Sequence, residues 1–554
     1  MENLLKLGRI SDQKVLFSIK TRFSLIFFIF IAFLLSSCNL GSYYVSALDI
    51  TATAEFANAL DEATMNFNAT QFPPVAEPTP NPIVPTEIIE PPSNPEQPLP
   101  TELTAPIVES DPLPTATRDN EERPPILYYT QSGDTLSVVA ARFGVSLDEI
   151  KTQSEITPRE LITPQTLLVI PDYYGFDIAS DPVLPDSEII YSPSALDFDI
   201  DSFINQAGGY LSTYREYTVD GWKSGGELIS KVATEESINP RILLGLLEYQ
   251  SGWVYGYPDT PVEKEYPMGF PILDKKGLLK QLNYAVKILA NGYYGWREGR
   301  ITEIIFSDGT QQRINPKTNA GSAAIEHFFS NFYDPQRWLS VLYGEGSFPV
   351  FYEQMFGSPW LRAQSVEPLY SIGLKQPNME LPYLPGKIWA HTGGPHPAWG
   401  SHGAWAALDF APGSDKPGCV TSYDWVVASA PGLVVRTGKG VVVLDLDGDG
   451  YEQTGWVILY LHIASDGKVE KGVFLDQDDL IGHPSCEGGS ATGTHVHIAR
   501  KYNGEWIAAD GPLAFNLSGW ISYKGEKAYE GKLVKKDAVV FARRYGSFES
   551  IITR

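Results

Sequence analysis

His495-Val496-His497 sets two imidazoles at positions i and i+2. In a β-strand that spacing sends both to one face, with Cα atoms about 6.6 Å apart, while the intervening Val turns to the core. Two side chains so placed can serve one small site. Others crowd near them in the chain, because seven of the eight histidines fall between His391 and His497. Tyr460-Leu461-His462 puts another His in an apolar run that reads as a strand. His396, in Gly394-Pro395-His396, lies thirteen residues before Asp409, and His402 lies seven before it. Nitrogen and carboxylate ligands in a set of three, with a fourth position open, are the makings of a catalytic zinc site.

The longer run Cys486-Glu487-Gly488-Gly489-Ser490-Ala491-Thr492-Gly493-Thr494-His495-Val496-His497, followed by Tyr502-Asn503-Gly504, closely resembles staphylolysin-type members of the lysostaphin-like zinc metallopeptidases. The resemblance implies His396, Asp409 and His497 as metal ligands, and His462 and His495 as catalytic non-ligands that orient water, stabilise an oxyanion and shuttle its proton. The commoner His-x-x-x-Asp spacing would put a ligand at Trp405, which cannot bind zinc, so the chain follows the long-spacing branch. His402 is the rival to His396. His391 and His483 lack motif partners and read as surface residues or as supports behind the site, and His327 as structural.

The elements that must hold these groups are short and β-rich. Trp425 to Ala430, Gly432 to Thr437, Val441 to Leu446, Trp456 to His462 and His495 to Tyr502 read as strands of a mainly β domain over 381–530, an antiparallel sheet, with 531–554 as an extension. Asp445-Leu446-Asp447-Gly448-Asp449-Gly450 begins like a calcium loop, but its twelfth position is Trp456, so an acidic hairpin turn is expected.

Residues 190–380 read as mostly helical, with Asn239-Pro240 opening a helix and further helices at Leu279 to Leu289 and Ala320 to Phe332. The run from Asn239 to Trp253 resembles the catalytic helix of lysozyme-like lytic transglycosylases, with Gln250 where that family has its acidic Glu. An amide cannot protonate a glycosidic oxygen. Glu248 lies roughly 200° round the helix from that position and should not inherit the role. A degenerate lysozyme-like domain retained for glycan contact is expected.

Before it, residues 126–172 follow a βααβ pattern. Ser132-Gly133-Asp134-Thr135-Leu136, Arg142-Phe143-Gly144-Val145-Ser146 and Val169-Ile170-Pro171 resemble a LysM domain, which implies binding of N-acetylglucosamine in peptidoglycan by the loop after the first strand and the loop before the second. Gly133, Asp134, Thr135 and Ile162 stand in or beside those loops.

Residues 73–125 hold 16 prolines, ten acidic and two basic residues. That composition reads as a stiff, self-repelling spacer. Residues 1–37 read as an export signal: Lys14, Lys20 and Arg22 precede the apolar Phe23 to Leu35, and Leu35-Ser36-Ser37-Cys38 resembles a bacterial lipobox. The lipobox implies acylation at Cys38, a membrane-anchored lipoprotein on the outer side of a membrane, and a tether through 38–125. With Cys38 carrying lipid, Cys419 and Cys486 are left as one pair for a disulfide in an oxidising compartment. The formal net charge of −25 argues against nucleic acid as a partner.

The expectation is therefore a multidomain chain: a small α/β LysM module, a mostly α lysozyme-like middle and a mainly β peptidase domain. Its function is expected to be zinc-dependent endopeptidase cleavage of peptide bonds in peptidoglycan. The alternative is a non-catalytic envelope lipoprotein that binds peptidoglycan and activates other wall hydrolases.

Overall fold

The structure, a computed structural model, describes residues 123–175, 181–414, 416 and 418–554. The signal, Cys38 and nearly all of the proline-rich spacer lie outside the described residues. No helix among the described residues is long and apolar enough to cross a membrane.

Strand β1 (Ile126–Tyr129) pairs antiparallel with β2 (Leu167–Ile170), and helix α1 (Leu136–Phe143) packs on them. Thr135 caps α1 by accepting from Val138 N at 3.3 Å, and Gly144 ends it in the left-handed region at φ 64°. The expected second helix is only a single 3₁₀ turn, Leu147–Glu149. It stops because Lys151 leaves to pair with Val169, its N–H reaching Val169 O at 3.0 Å. Tyr128, Val139, Phe143, Leu168 and Ile170 fill the small core.

The middle region is helical, as its periodicity predicts. Its small hairpins are β3 (Arg215–Thr218) with β4 (Gly221–Ser224), and β5 (Glu303–Ile305) with β6 (Gln311–Arg313). Its main helices are α2 (Gly225–Glu236), α3 (Pro240–Ser251), α4 (Leu278–Arg297) and α5 (Ala320–Ser330). Asn239 caps α3 from its side chain, with Pro240 in the first turn where a missing N–H costs nothing. Helix α4 runs two turns past the expected Leu289, because Tyr293, Tyr294 and Trp296 continue its buried face.

The C-terminal domain is one large antiparallel sheet with strand order β13-β10-β11-β12-β15-β8-β7-β21 and β16 attached to β15. Its strands are β7 (Ile388–His396), β8 (Ala407–Pro412), β10 (Gly432–Gly438), β11 (Gly440–Asp445), β12 (Trp456–Ile463), β13 (Phe474–Leu475), β15 (Val496–Tyr502), β16 (Glu505–Trp506) and β21 (Ile551–Thr553). A minor ribbon pairs β9 (Val426–Val427) with β14 (Leu480–Gly482). A second sheet, β17 (Asn516–Leu517), β18 (Trp520–Lys524), β19 (Gly531–Lys535) and β20 (Ala538–Phe541), completes the domain. Residues 531–554 are integral to it, because β21 closes the edge of the large sheet against β7. Val442, Leu444, Ile458, Tyr460, Val496 and Ile498 alternate into the core, which leaves the opposite face of β8, β12 and β15 free for polar residues.

Candidate metal centre

Strand register assembles the site. His497 on β15 lies directly across from Asp409 on β8 and from Leu461 on β12. His396 ends β7 after two register shifts against β8, between His391 and Gly393 and again before His396, which turn its ring towards Asp409. Gly393 is required there, since a Cβ would sit 2.3 Å from Asp409 Oδ2.

The three polar atoms form a compact triangle. His396 Nε2 is 3.0 Å from His497 Nδ1, and Asp409 Oδ1 is 3.3 Å from each. All three residues are buried. Backbone carbonyls fix the tautomers, since a carbonyl only accepts. His396 Nδ1 donates to Gly394 O at 2.8 Å and His497 Nε2 donates to Ala398 O at 3.0 Å. The lone pairs of His396 Nε2 and His497 Nδ1 therefore point at one another, beside a buried Asp409 Oδ1 that has no hydrogen-bond partner. Three electron-rich atoms so arranged call for a cation. The edges match those of a tetrahedral zinc site, in which ligand bonds of about 2.0–2.1 Å give edges of about 3.3 Å. The residues present thus fit a divalent metal with His396, Asp409 and His497 as donors. Burial pushes the Asp409 carboxyl up, but His396 and His495 outweigh it and hold the group well below the usual carboxylate range.

Two more histidines flank the triangle. His462 Nδ1 donates to Glu487 O at 2.8 Å, and His495 Nδ1 donates to Gly493 O at 2.7 Å. Each keeps a free Nε2 lone pair, and their rings lie 4.5 Å apart. His495 Nε2 is 3.8 Å from Asp409 Oδ1. Burial, then the neighbouring His495 and His497, lowers His462 to about 4, so it is neutral at pH 7. His462 sits at φ 66°, a strained backbone for a non-glycine residue. The disulfide joins Cys419 to Cys486 and pins the loop that supplies the Glu487 carbonyl.

The remaining histidines do not enter the triangle. His402 Nε2 meets Glu236 Oε2 at 3.1 Å, at the end of α2 and away from the triangle. His391 is fully buried rather than superficial, with Nδ1 donating to Asp409 O at 3.3 Å. His483 stacks on Trp425. His327 lies in α5. Tyr529 was not signalled by any local motif. Its ring stacks on His396 at 4.1 Å, brought there from the loop before β19.

In the LysM module, Asp134 is a buried knot. It accepts from Tyr128 OH at 2.6 Å, Gln131 N at 2.8 Å and Arg142 Nη1 at 2.7 Å. Ile162 is a core residue, and Thr135 is engaged as the cap of α1. Gly133 lies against Arg297 and Tyr370. In the helical region Gln250 is buried, and Glu248 is spent on the backbone, accepting from Val254 N at 2.7 Å and Tyr255 N at 3.0 Å. Asp445, Asp447 and Asp449 cap the turns of the β11–β12 connection, accepting from the backbone N–H of Asp447 and Gly450, of Asp449, and of Tyr451 respectively.

Residues 128–171 match the family model for the LysM domain, and residues 182–369 match that for LasA, N-terminal domain. Protease LasA from two strains of Pseudomonas aeruginosa is 25% identical over 366 residues, covering 60% of this chain and 78% of that protein. Among solved structures, the M23 metalloprotease pseudoalterin from the deep sea is 23% identical, covering 32% of this chain and 99% of its own, with a TM-score of 0.27. The catalytic domain of the antimicrobial peptidase lysostaphin from Staphylococcus simulans is 22% identical, covering 23% and 89%, with a TM-score of 0.17. Along the chain a segment matching the LysM model, a segment matching the model for LasA, N-terminal domain, and an antiparallel β domain follow one another, and 60% of the chain is similar to protease LasA.

Proposed function

We propose that this protein is a zinc-dependent endopeptidase that cleaves peptide bonds in peptidoglycan. The observation that carries the reading is the convergence of His396 Nε2, His497 Nδ1 and Asp409 Oδ1, with the free Nε2 atoms of His462 and His495 beside them. The similarity to protease LasA supports it. His396, Asp409 and His497 would hold zinc, which would supply Lewis acidity to water and to the scissile carbonyl. One of the pair, His495 or His462, accepts at Nε2 the single proton that water loses as it attacks. That charged imidazole stabilises the oxyanion and passes the same proton to the leaving amine, while the other ring orients the water through its Nε2 lone pair. The carbonyls of Gly493 and Glu487 hold both rings in the tautomer this requires.

The LysM domain binds the glycan through the segment carrying Gly133, Asp134, Thr135 and Ile162. Because the last three side chains are committed inside the module, the contact is made by loop backbone. A lipid anchor at Cys38 places the protein in the cell envelope.

Zinc stoichiometry and mass spectrometry of wall digests test the peptidase reading. Stoichiometric zinc with release of wall peptides is expected. A folded protein that takes up no zinc and releases none shows the reading to be wrong.

A further inference from the structure

Both loops at the ligand end of the LysM module are pressed against the rest of the chain. The loop after β1 meets the helical domain. Gln131 Nε2 donates to Lys317 O at 2.7 Å, Ser132 O accepts from Arg297 Nη1, and Ser132 Oγ contacts the backbone of Tyr370. A Cβ on Gly133 would lie 2.6 Å from Arg297 Nη1. The segment before β2 meets the β domain. Arg159 pairs with Asp510 and lies 5.0 Å over the Tyr523 ring, and Leu161 packs against the cluster of Trp456, Ile507 and Leu513.

The docking is built from matched helix ends. Helix C-termini leave carbonyls without partners and favour cations. Arg142 of the LysM module donates to Trp296 O in the last turn of α4, through Nε at 3.3 Å and Nη2 at 3.1 Å. In return, Arg313 of the helical domain donates to Ala141 O at 2.7 Å and Arg142 O at 3.1 Å, in the last turn of α1. Each domain thus caps a helix of the other. The approach is close at Gly299, where an added Cβ would stand 3.2 Å from Ala141 Cβ.

We propose that the LysM glycan edge is masked by the chain's own helical and β domains, so that a glycan strand and interdomain docking compete for the two loops. This rests on the glycan-binding reading above. Glycan then binds only the undocked fraction, and the apparent affinity falls by that fraction. Reaching wall glycan releases the module from the peptidase body, which ties engagement of the wall to a change in the arrangement of the domains.

The test uses the full chain with an N-acetylglucosamine pentamer, with titration calorimetry for affinity and hydrogen exchange for docking. Two substitutions loosen the interface without touching the LysM module. Gly299→Asn wedges Ala141 while tolerating φ 68°, and Asp510→Lys repels Arg159. Both variants should bind the pentamer about tenfold more tightly than the wild type, on the order of 1.4 kcal/mol. In the wild type, saturating pentamer should speed exchange at the amides of 132–136 and 297–301. Equal affinity in wild type and in variants whose exchange shows them undocked overturns the masking. So does wild-type binding with the interface still protected. If undocked variants bind no pentamer, the glycan reading itself fails and the masking falls with it.

Discussion

At the residue scale the site is organised by which nitrogen of each histidine is tied down. His396 is tied at Nδ1 and His497 at Nε2, so they offer opposite nitrogens to the same point. His462 and His495 are both tied at Nδ1 and offer Nε2. Position then separates them: His396 Nε2 and His497 Nδ1 stand 3.3 Å from Asp409 Oδ1, while His495 Nε2 is 3.8 Å from it and His462 lies beside His495. On the proposed reading the first two bind the metal, the other two move protons, and the two pairs should respond differently to substitution. His497→Ala or Asp409→Ala removes a ligand, so zinc content and peptide release should fall together. His495→Ala or His462→Ala leaves all three ligands in place. Zinc should stay at full stoichiometry while turnover drops roughly 10²–10⁴-fold. Zinc content measured beside the rate of peptide release separates the two groups. Retention of zinc in His497→Ala would require a different ligand set. His402→Ala should leave zinc untouched, because its partner is Glu236.

At the element scale, strand register brings residues from β7, β8, β12 and β15 together, and loops then fix the rings. Much of this was legible in the sequence. The i, i+2 pair needs only the two-residue repeat of a strand, and the five expected strands all form, with β9 the shortest. What could not be read came from long-range packing. Nothing near Tyr529 in the chain signals its stacking on His396. The register shifts in β7 that aim His396 follow from pairing with β8, which no local pattern reports. The second LysM helix failed for a similar reason, since the pairing of Lys151 with Val169 overrides a helical pattern. The disulfide belongs to this scale as well. Cys419 and Cys486 enclose 67 residues of sequence separation and hold the loop whose Glu487 carbonyl orients His462. Replacing both cysteines by Ser should cost about 2–4 kcal/mol in denaturant unfolding. It should also lower turnover while zinc remains bound, because none of the three ligands lies on that loop. Unchanged turnover would mean the loop holds its shape without the bridge.

At the scale of the whole molecule, buried charge decides how the domains respond to pH and to one another. Burial raises the Glu326 carboxyl on α5 to about 8, only partly opposed by the hydroxyl of Tyr343 at 3.3 Å. Unfolded, the group ionises near 4.3. Between those values the unfolded chain has lost a proton that the folded one keeps, so stability should fall as pH rises from about 4.5 to about 8, by up to ~1.4 kcal/mol per pH unit. Glu326→Gln should flatten that slope in urea titrations. A second group ties the domains together. Arg297, at the end of α4, donates to Glu505 of β16 at 3.0 Å and 3.1 Å, pairs with Asp186 at 3.0 Å, and reaches Ser132 of the LysM module. Tyr293 and Tyr370 donate to the same Glu505 carboxylate at 2.9 Å and 2.8 Å. The side chain of Glu505 is only 2% exposed and that of Arg297 9%. Removing Arg297 strands the Glu505 charge in a site with little water, at a cost of about 3–5 kcal/mol, whereas removing Glu505 leaves Arg297 its pairing with Asp186 and should cost less. Removing both discards the pair and its desolvation together and should cost less. Arg297→Met and Glu505→Leu should therefore each lower the unfolding temperature, and the double variant should be less damaged than the sum of the two single losses. Because the pair is a buried charged link between the helical and β domains, each single variant should also split one calorimetric transition into two. Additive losses with a single transition would show that this ion pair takes no part in making the domains unfold as one.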